Sequence, residues 1–361
     1  MSVGLVHDYL LVMRGAERTF AAIADCWPEA PIHTLLYDEE GTNGWFASRD
    51  VQPSPLQRTG VRQQGFRRLL PTYQWAARQL PLEDYDLVVS SSSAFALGVE
   101  PRADAVHVCY CHSPFRYAWH ERERALAEMK GPLRPALGRF MNGVQRVDRR
   151  AAGRVTEFIA NSVITRDRIA EFYDRLATII HPPVDVHRFT PQAPDDYFLV
   201  VGELVAHKRV DVALEAAKRA SKKVKVVGTG PDYERLKASY GDTAEFMNRL
   251  EDRELADLYA RAQALIVANV EEFGIAAVEA QAAGRPVLGV DGGGLRETVV
   301  QEVTGIRVDG RSADSLADAM RSVDFARFDS AAIRRNAERF SVENFRRRMK
   351  TYVASVYARR R

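Results

Sequence analysis

The chain alternates short apolar runs with helix-like patterns from one end to the other. Such alternation is typical of α/β proteins, in which helices cover both faces of a parallel sheet. The first half contains five apolar runs and the second half four, namely Val3–Val6, Asp86–Ser90, Val106–Cys111, Glu157–Ala160 and Thr178–His181, then Phe198–Gly202, Lys223–Gly228, Leu265–Ala268 and Pro286–Val290. The pattern predicts an α/β fold with two doubly wound parallel sheets, one in each half.

The length of the chain also favours two domains. A single hydrophobic core stops growing at roughly 250–300 residues, and this chain has 361. A Pro-rich polar stretch at about 185–196 has the composition of a domain boundary. We therefore expect a first domain over 1–185 and a second over 196–341. Ser341 followed by Glu343 is a helix start, which predicts a terminal helix over 342–361.

Composition excludes several classes of protein. The net charge of +3 and the pI of about 8.7 do not fit a nucleic-acid-binding domain, so we expect no nucleic-acid partner. No run of about 18 uncharged apolar residues occurs, and the sequence begins with a strand rather than a secretory signal. Three cysteines cannot form a disulfide framework here, which favours a cytoplasmic location. Cys109 and Cys111 match a fragment of a metal site, but one face of a buried strand explains them better.

The most informative segment begins at Glu271, follows a buried strand and opens a helix. In open α/β sheets, ligands bind at this edge. The free backbone N–H groups at Phe273, Gly274 and Ile275 suit a phosphate. The carboxylates of Glu271 and Glu279 then accept hydrogen bonds from sugar or ribose hydroxyls. The alternative is that Glu272 and Glu279 only favour the first turns of the helix, as acidic residues do, but the Phe-Gly pair between the two carboxylates favours a ligand site.

Three further loops strengthen this interpretation. Lys208 precedes a helix, where a cation and backbone donors together neutralise a diphosphate. Alone it is a weak signal, because charged residues at helix starts are usually solvated. Gly228 and Gly230 form a glycine loop after the next strand, and Gly292–Gly294 form another, so that backbone amides can approach a ligand.

These motifs, strand–Gly-x-Leu-x-x-x-Lys, Val-Gly-x-Gly-Pro, Glu-x7-Glu and Gly-Gly-x-x-Glu, resemble the retaining GT-B glycosyltransferases of family 4. Five segments of the first half are similar to bacterial members that build O-antigen or exopolysaccharide units, many of them mannosyltransferases: His7–Leu10, Arg14–Glu17, Tyr85–Ser92, Cys111–Trp119 and Ile159–Ser162. The resemblance covers almost the whole chain. It implies two Rossmann-like domains facing a cleft, an acceptor domain and then a nucleotide-sugar donor domain, with the C-terminal helix crossing back to the first.

The resemblance also implies roles for single residues. Glu271 hydrogen-bonds the donor sugar hydroxyls near the anomeric centre, and Glu279 binds the nucleotide ribose. Lys208 holds the donor diphosphate and stabilises the leaving group. His112 reaches the donor sugar from the N-terminal domain, and Gly15 lies near the donor phosphate or the acceptor.

The sequence departs from the family in two places. Glu203 stands where the family commonly has an arginine at the diphosphate, so that role passes to Arg209 or to a basic residue of the other domain. The usual glycine pair of the first loop is reduced to Gly15-Ala16. Backbone approach is more restricted there, while Arg14 gains a phosphate-binding role.

The implied function is retaining transfer of a hexose from a nucleotide diphosphate sugar to a lipid-linked or glycan acceptor in surface polysaccharide synthesis. Mannose from GDP-mannose is favoured, with a UDP-sugar as the alternative. Attack occurs on the same face as departure, and the leaving phosphate helps to deprotonate the acceptor. We expect no cofactor and no metal, because Asp84-Tyr85-Asp86 is better explained as a turn before a strand than as a metal site.

Two other functions stay open. One is a sugar-nucleotide epimerase of the same fold, and the other is a non-catalytic nucleotide-sugar-binding partner of another transferase, which the charge of Glu203 motivates. A dinucleotide dehydrogenase is disfavoured, because the segment after the first strand lacks Gly-x-Gly-x-x-Gly.

Two basic segments suggest a surface for the acceptor or a membrane. Val51–Leu82 contains no acidic residue and combines arginines with aromatic residues, including Arg58, Arg62, Arg67, Arg68 and Trp75. This composition suits an element that binds lipid phosphates at the anionic inner membrane, and equally suits a solvated helix face. Arginines in the terminal segment, from Arg346 to Arg361, form the second patch.

Overall fold

The computed structural model describes residues 1–129, 131, 133–310 and 312–360. The chain forms two compact units. Unit 1 comprises Met1–His181 together with Phe345–Arg361, and unit 2 comprises Pro182–Asn344. Each unit is built around its own parallel sheet. None of the described helices is both long enough and apolar enough to cross a membrane.

Unit 1 contains a seven-stranded sheet in the order β3-β2-β1-β4-β5-β6-β7, with every pair parallel. Its strands are β1 Val3–His7, β2 Ile32–Thr34, β3 Val51–Pro53, β4 Leu87–Ser92, β5 Val106–Cys111, β6 Glu157–Ala160 and β7 Ala177–Ile179. The helices before the crossing to unit 2 are α1 Gly15–Ala24, α2 Tyr73–Arg78, α3 Arg122–Glu128, α4 Leu133–Arg154 and α5 Val163–Tyr173. Strands β4 and β5 are buried along their whole length, as expected for central strands covered on both faces.

Unit 2 contains a six-stranded parallel sheet in the order β10-β9-β8-β11-β12-β13. Its strands are β8 Phe198–Val201, β9 Val224–Val227, β10 Ala244–Met247, β11 Leu265–Val267, β12 Val287–Val290 and β13 Gly305–Val308. Its helices are α6 Val210–Ala220, α7 Tyr233–Tyr240, α8 Asp252–Arg261, α9 Ile275–Ala282, α10 Leu295–Thr298, α11 Ala313–Ser322 and α12 Ser330–Glu338. The strand order reverses between β8 and β11, and ligands bind at such a switch point in open α/β sheets.

The last helix, α13 (Val342–Arg360), belongs mainly to unit 1 although it follows unit 2 in the chain. Ser341 caps its start by accepting a hydrogen bond from the Asn344 backbone N–H at 3.2 Å. Its buried residues recur every three or four positions and form one stripe: Phe345, Met349, Val353 and Val356. Phe345 contacts the ring of Tyr110 in β5, with 5.8 Å between the ring centres. The crossing of the C-terminal helix back to the first unit is therefore confirmed.

The two parallel sheets are confirmed, but four strands are absent from the sequence prediction. These are β2, β3, β10 and β13, which have three or four residues each and lie at or next to the sheet edges. Such strands mix polar and apolar residues, so they carry no continuous apolar run. The run predicted at Thr178–His181 forms β7 slightly earlier, at Ala177–Ile179.

The boundary between the units lies at His181 and Pro182, before the predicted linker at about 185–196. Val184, Val186 and Phe189 are buried in the apolar core of unit 2. This part of the predicted boundary is thus a packed portion of the second unit. The Pro-rich composition that suggested a linker instead reflects a short irregular segment, with one 3-10 turn at Val186–Arg188.

Candidate functional site

Lys208 and Glu271 lie side by side at the switch point of the unit 2 sheet. Lys208 follows β8 and Glu271 follows β11, and these strands are neighbours. The ammonium nitrogen of Lys208 lies 2.7 Å from Oε1 and 2.8 Å from Oε2 of Glu271. The side-chain amide of Asn269 also donates to Oε1, at 3.1 Å. The two residues predicted from separate motifs therefore form one charged pair, and Asn269 is a partner that no sequence motif indicated.

This pair keeps the Glu271 carboxylate ionised. Burial raises the pKa of this carboxyl group. The charge and hydrogen bonds of Lys208, together with the hydrogen bond from Asn269, lower it by more than burial raises it. The net pKa of Glu271 is below its usual range. Both side chains keep about a quarter of their surface exposed, at 29% for Lys208 and 23% for Glu271. Both remain accessible to a ligand at this edge.

The loop that carries Glu271 is held in place by the loop that follows β12. The backbone N–H of Gly294 donates to the carbonyl oxygen of Glu271 at 2.9 Å. A Cβ atom on Gly294 would lie 2.1 Å from the carbonyl oxygen of Phe273, so only glycine fits there. Gly274 has a φ of 88° and begins α9, whose first residue, Ile275, is half-buried. The Phe273 side chain is buried against Phe340, which leaves only its backbone for the predicted phosphate contact.

Glu279 lies in the second turn of α9, and both of its carboxylate oxygens have partners. Arg188 donates to Oε1 at 2.9 Å, and the phenol of Tyr259 donates to Oε2 at 2.9 Å. Arg188 also pairs with Asp252 at 3.1 Å. Each carboxylate oxygen accepts more than one hydrogen bond, so this arrangement leaves capacity for hydroxyl groups. No sequence motif indicated Arg188, because it lies in a segment without a recognisable pattern.

Gly228 and Gly230 are required by contact between two loops. A Cβ on Gly228 would lie 1.9 Å from the carbonyl oxygen of Gly202, and one on Gly230 would lie 2.3 Å from that of Leu204. The Leu204 backbone N–H donates to the Thr229 carbonyl at 2.9 Å, which joins the same two loops. The sequence predicted that these glycines let backbone amides approach a ligand. The structure shows that they also allow the loops after β8 and β9 to pack closely.

The residues around the reversed charge at position 203 have local partners. Arg209 has a φ of 52° and immediately precedes α6. Its Nε atom lies 3.9 Å from a carboxylate oxygen of Asp211, a long contact between half-exposed groups. Glu203 itself is exposed. The role predicted for Arg209 at a diphosphate stays a prediction.

In unit 1, Arg14 and Gly15 lie where the first loop meets α1. Arg14 is exposed and precedes the helix in an extended conformation, while Gly15 is its first residue. The Arg14 backbone N–H donates to the buried Glu17 carboxylate at 3.0 Å. Burial raises the pKa of Glu17 to about 7. The first loop is therefore anchored through its backbone, and Arg14 is an exposed residue of this loop.

His112 lies directly after β5 and is only 8% exposed. Its Nε2 atom is 2.8 Å from the hydroxyl of Ser91, and burial lowers its pKa to about 4. Its backbone carbonyl accepts hydrogen bonds from Asn161 at 2.9 Å and from Thr165 at 3.1 Å. The ring is thus neutral and held at one nitrogen, which the sequence did not predict.

The basic segment Val51–Leu82 contains β3, two 3-10 turns and α2. It is therefore not one continuous helix, while its binding to lipid phosphates stays a prediction. Arg62 pairs with Asp38 and Glu40 at 3.8 and 3.3 Å. Trp75 is 52% exposed. Arg58, Arg67 and Arg68 form no ion pair with the described residues, and Arg361 of the second basic patch lies outside the described residues.

Among residues 1–129, 131, 133–310 and 312–360, no three His, Cys, Asp or Glu side chains come together as metal ligands. Asp86 instead pairs with Arg102 at 3.2 Å and accepts from the Ser2 backbone at 2.9 Å. Cys109 and Cys111 are buried in β5, on one face of a central strand as predicted.

The chain has two units, each with polar loops at the carboxyl edge of a parallel sheet. This is the architecture of the GT-B glycosyltransferases. HepE from Anabaena, solved in complex with UDP-glucose, matches with a TM-score of 0.72 at 16% identity, over 98% of this chain and 100% of that one. Sucrose-phosphate synthase from Thermosynechococcus elongatus matches with a TM-score of 0.73 at 16% identity, over 99% and 100%. At this identity the likeness concerns the fold alone.

Two family models match the chain in succession. Glycosyltransferase Family 4 matches residues 13–188, and Glycosyl transferases group 1 matches residues 186–339. Because the two matches together span residues 13–339, the chain belongs to these glycosyltransferases.

Curated relatives match about half of the chain. A D-inositol 3-phosphate glycosyltransferase of Geodermatophilus obscurus is 35% identical over 222 residues, which are 51% of this chain and 49% of the relative. A GDP-mannose-dependent alpha-(1-6)-phosphatidylinositol monomannoside mannosyltransferase of Mycobacterium tuberculosis is 30% identical over 192 residues, 44% of this chain and 50% of the relative. The chain thus spans about half the length of the curated relatives that it matches.

Proposed function

We propose that this chain transfers a hexose from a nucleotide diphosphate sugar to an acceptor hydroxyl, with retention of the anomeric configuration. The observation that carries the proposal is the Lys208–Glu271 pair at the sheet switch point. It lies in the region matched by the group 1 model. The donor that we favour is GDP-mannose, which the Mycobacterium tuberculosis relative uses according to its name.

Each residue of the pair has a separate role. The Lys208 ammonium has three N–H donors, and its contacts with Glu271 use at most two of them. The third can bind a diphosphate oxygen, where the fixed positive charge stabilises the leaving group as the sugar departs. The Glu271 carboxylate accepts hydrogen bonds from sugar hydroxyls and orients the ring. Glu279 binds the ribose, and the backbone N–H groups at the start of α9 bind phosphate.

The reaction exchanges one bond for another at the anomeric carbon. The bond from this carbon to the diphosphate oxygen breaks, and a bond to the acceptor oxygen forms on the same face. The departing phosphate takes the acceptor proton, so no protein nucleophile is needed. Glu271 stabilises positive charge on the sugar ring, and His112 hydrogen-bonds the sugar. Gly15, Arg14 and Arg209 provide further contacts to phosphate or acceptor.

The acceptor that we propose is lipid-linked or a glycan, used in surface polysaccharide synthesis at the cytoplasmic face of the inner membrane. The exposed indole of Trp75 and the arginines of Val51–Leu82 support an anionic surface as partner. Replacing Arg58, Arg62, Arg67 and Arg68 together by Gln is expected to reduce co-sedimentation with liposomes containing anionic lipid. Unchanged co-sedimentation and unchanged transfer would exclude this surface.

Variants of the charged pair test the transferase function. Lys208→Ala and Glu271→Gln are expected to lower transfer by a factor of about 100 or more, the typical effect of losing a group that stabilises transition-state charge. Lys218→Ala, an exposed lysine on α6, is the matched control and is expected to retain activity. Purified protein is assayed with GDP-, UDP-, ADP- and dTDP-sugars. Near-normal transfer by either site variant contradicts the proposal, as does epimerised nucleotide sugar formed without acceptor.

A further inference from the structure

Three segments of unit 1 that are distant in sequence meet in one buried hydrogen-bonded chain. His7 ends β1, Ser91 lies in β4, and His112 directly follows β5. These strands are adjacent, and His7 is in register with Ser91. The Ser91 hydroxyl lies 3.1 Å from Nδ1 of His7 and 2.8 Å from Nε2 of His112. All three residues are buried.

The protons of these three groups are coupled. Burial lowers the pKa of His7 to about 3 and that of His112 to about 4, so both rings are neutral near pH 7. A neutral imidazole has one donor nitrogen and one acceptor nitrogen, and a serine hydroxyl has one hydrogen. The Ser91 hydroxyl can therefore donate to only one of the two rings, and at least one ring must donate to it. If Nε2 of His112 accepts from Ser91, Nδ1 of His7 must carry its hydrogen, and the reverse, so the two tautomers are coupled.

Both ends of this chain are held in place. The His7 ring is stacked on Phe20, with 4.7 Å between the ring centres. The backbone carbonyl of His112 is held by Asn161 and Thr165. Within the part of the chain that the structure describes, the Nδ1 atom of His112 has no hydrogen-bond partner. This is the ring atom left to bind a substrate.

We propose that Ser91 and His7 are positioning residues, which hold His112 so that its Nδ1 atom hydrogen-bonds a hydroxyl of the donor sugar. The inference rests on the proposed function, since it concerns the donor of that reaction. The His7–Leu10, Tyr85–Ser92 and Cys111–Trp119 segments each contribute one member of this hydrogen-bonded chain.

The neighbouring pair Ser90–His107 provides a matched control. Ser90 lies one residue before Ser91 in β4, and its side chain points to the opposite face of the sheet. Its hydroxyl is 2.8 Å from Nε2 of His107, and both residues are buried. Losing either serine hydroxyl therefore removes a buried Ser–His hydrogen bond of 2.8 Å, and losing that of Ser91 also removes its contact with His7. Only Ser91 is connected to His112.

The experiment compares Ser91→Ala with Ser90→Ala in the full chain. Both variants are expected to lower the melting temperature, Ser91→Ala by more because it also loses the contact with His7. Ser91→Ala is expected to lower kcat/KM for the donor about tenfold, the effect of one lost hydrogen bond on positioning. Ser90→Ala is expected to stay within about twofold of the wild type. The imidazole 15N signals of His112 should shift in Ser91→Ala alone, because only that variant changes the partner of Nε2.

Two further variants complete the test. Ser91→Cys preserves the shape of the side chain with a weaker donor, and replaces Ser91→Ala if that variant does not fold. His7→Phe keeps the stack on Phe20 and removes Nδ1, so it should lower kcat/KM in the same direction. Equal donor kinetics in the Ser91 and Ser90 variants, with unchanged His112 signals, would overturn the inference while the transferase function stands. Absence of sugar transfer by the wild-type protein would overturn both.

Discussion

Asp148 is a buried carboxyl group in α4 whose charge is unfavourable in the folded state. It is 4% exposed and accepts a hydrogen bond from the Trp119 indole N–H at 3.1 Å. Burial raises its pKa to about 7, despite the Trp119 hydrogen bond. The folded pKa is thus higher than the unfolded value of about 3.9. The folded state favours the protonated form. Ionisation of this group therefore does not reduce the free energy of unfolding in strong acid, and reduces it progressively as the pH rises to about 7.

Asp148→Asn is therefore expected to stabilise the protein at high pH. The amide keeps an acceptor for Trp119 and cannot ionise. The gain in the free energy of unfolding should grow between about pH 4 and pH 7 and reach on the order of 4 kcal/mol above that. Thermal unfolding over a series of pH values measures it. Asp167→Asn, at a carboxyl group that is 61% exposed, serves as the control. A gain that is constant with pH would contradict the prediction.

At the scale of elements, the loops after β8 and β9 are held against each other. They are joined by backbone hydrogen bonds and by the close approach of Gly228 to the Gly202 carbonyl. The loops after β11 and β12 are joined in the same way through Gly294 and Glu271. The position of Lys208 and Glu271 thus depends on contacts between loops as well as on the strands that precede them.

Gly228→Ala is expected to destabilise the protein by about 2–4 kcal/mol, because the new methyl group would overlap the backbone carbonyl of Gly202 and one of the two loops must shift. Donor binding should weaken at the same time, since the Lys208 loop must shift. Urea unfolding and the donor KM measure the two effects. Gly143→Ala is the matched control, in an open position of α4. It is expected to add about 0.5–1 kcal/mol instead, as alanine favours helix.

At the scale of the whole molecule, α13 completes the core of unit 1. Met349→Ala removes a fully buried side chain from this helix and is expected to lower the free energy of unfolding by about 2–5 kcal/mol. Hydrogen exchange should show lost protection in β5 and β7, while β8 and β11 stay protected. The control Lys350→Ala, at an exposed position of the same helix, should change neither. Lost protection confined to unit 2 would contradict the assignment of this helix.

The sequence predicted the two parallel sheets and the location of Lys208 and Glu271 in loops after strands of the second sheet, because strand periodicity and loop motifs are local signals. Loops after adjacent parallel strands meet at one edge, which follows from topology alone. The sequence did not predict the contact of Arg188 with Glu279, which joins residues 91 positions apart. Nor did it predict that Ser91 binds His112, since that depends on the register of β4 against β5. Such contacts arise only once the sheet is assembled.

The return of the chain to unit 1 has a consequence for biosynthesis. During translation, unit 1 lacks its final helix until every residue of unit 2 has been made. Unit 2 is contiguous, so it can complete its core first, although it is encoded second. Until then, the surface that later covers Phe345 and Met349 stays open on the nascent chain. Newly made protein in this interval is therefore a substrate for chaperones that recognise exposed apolar surface.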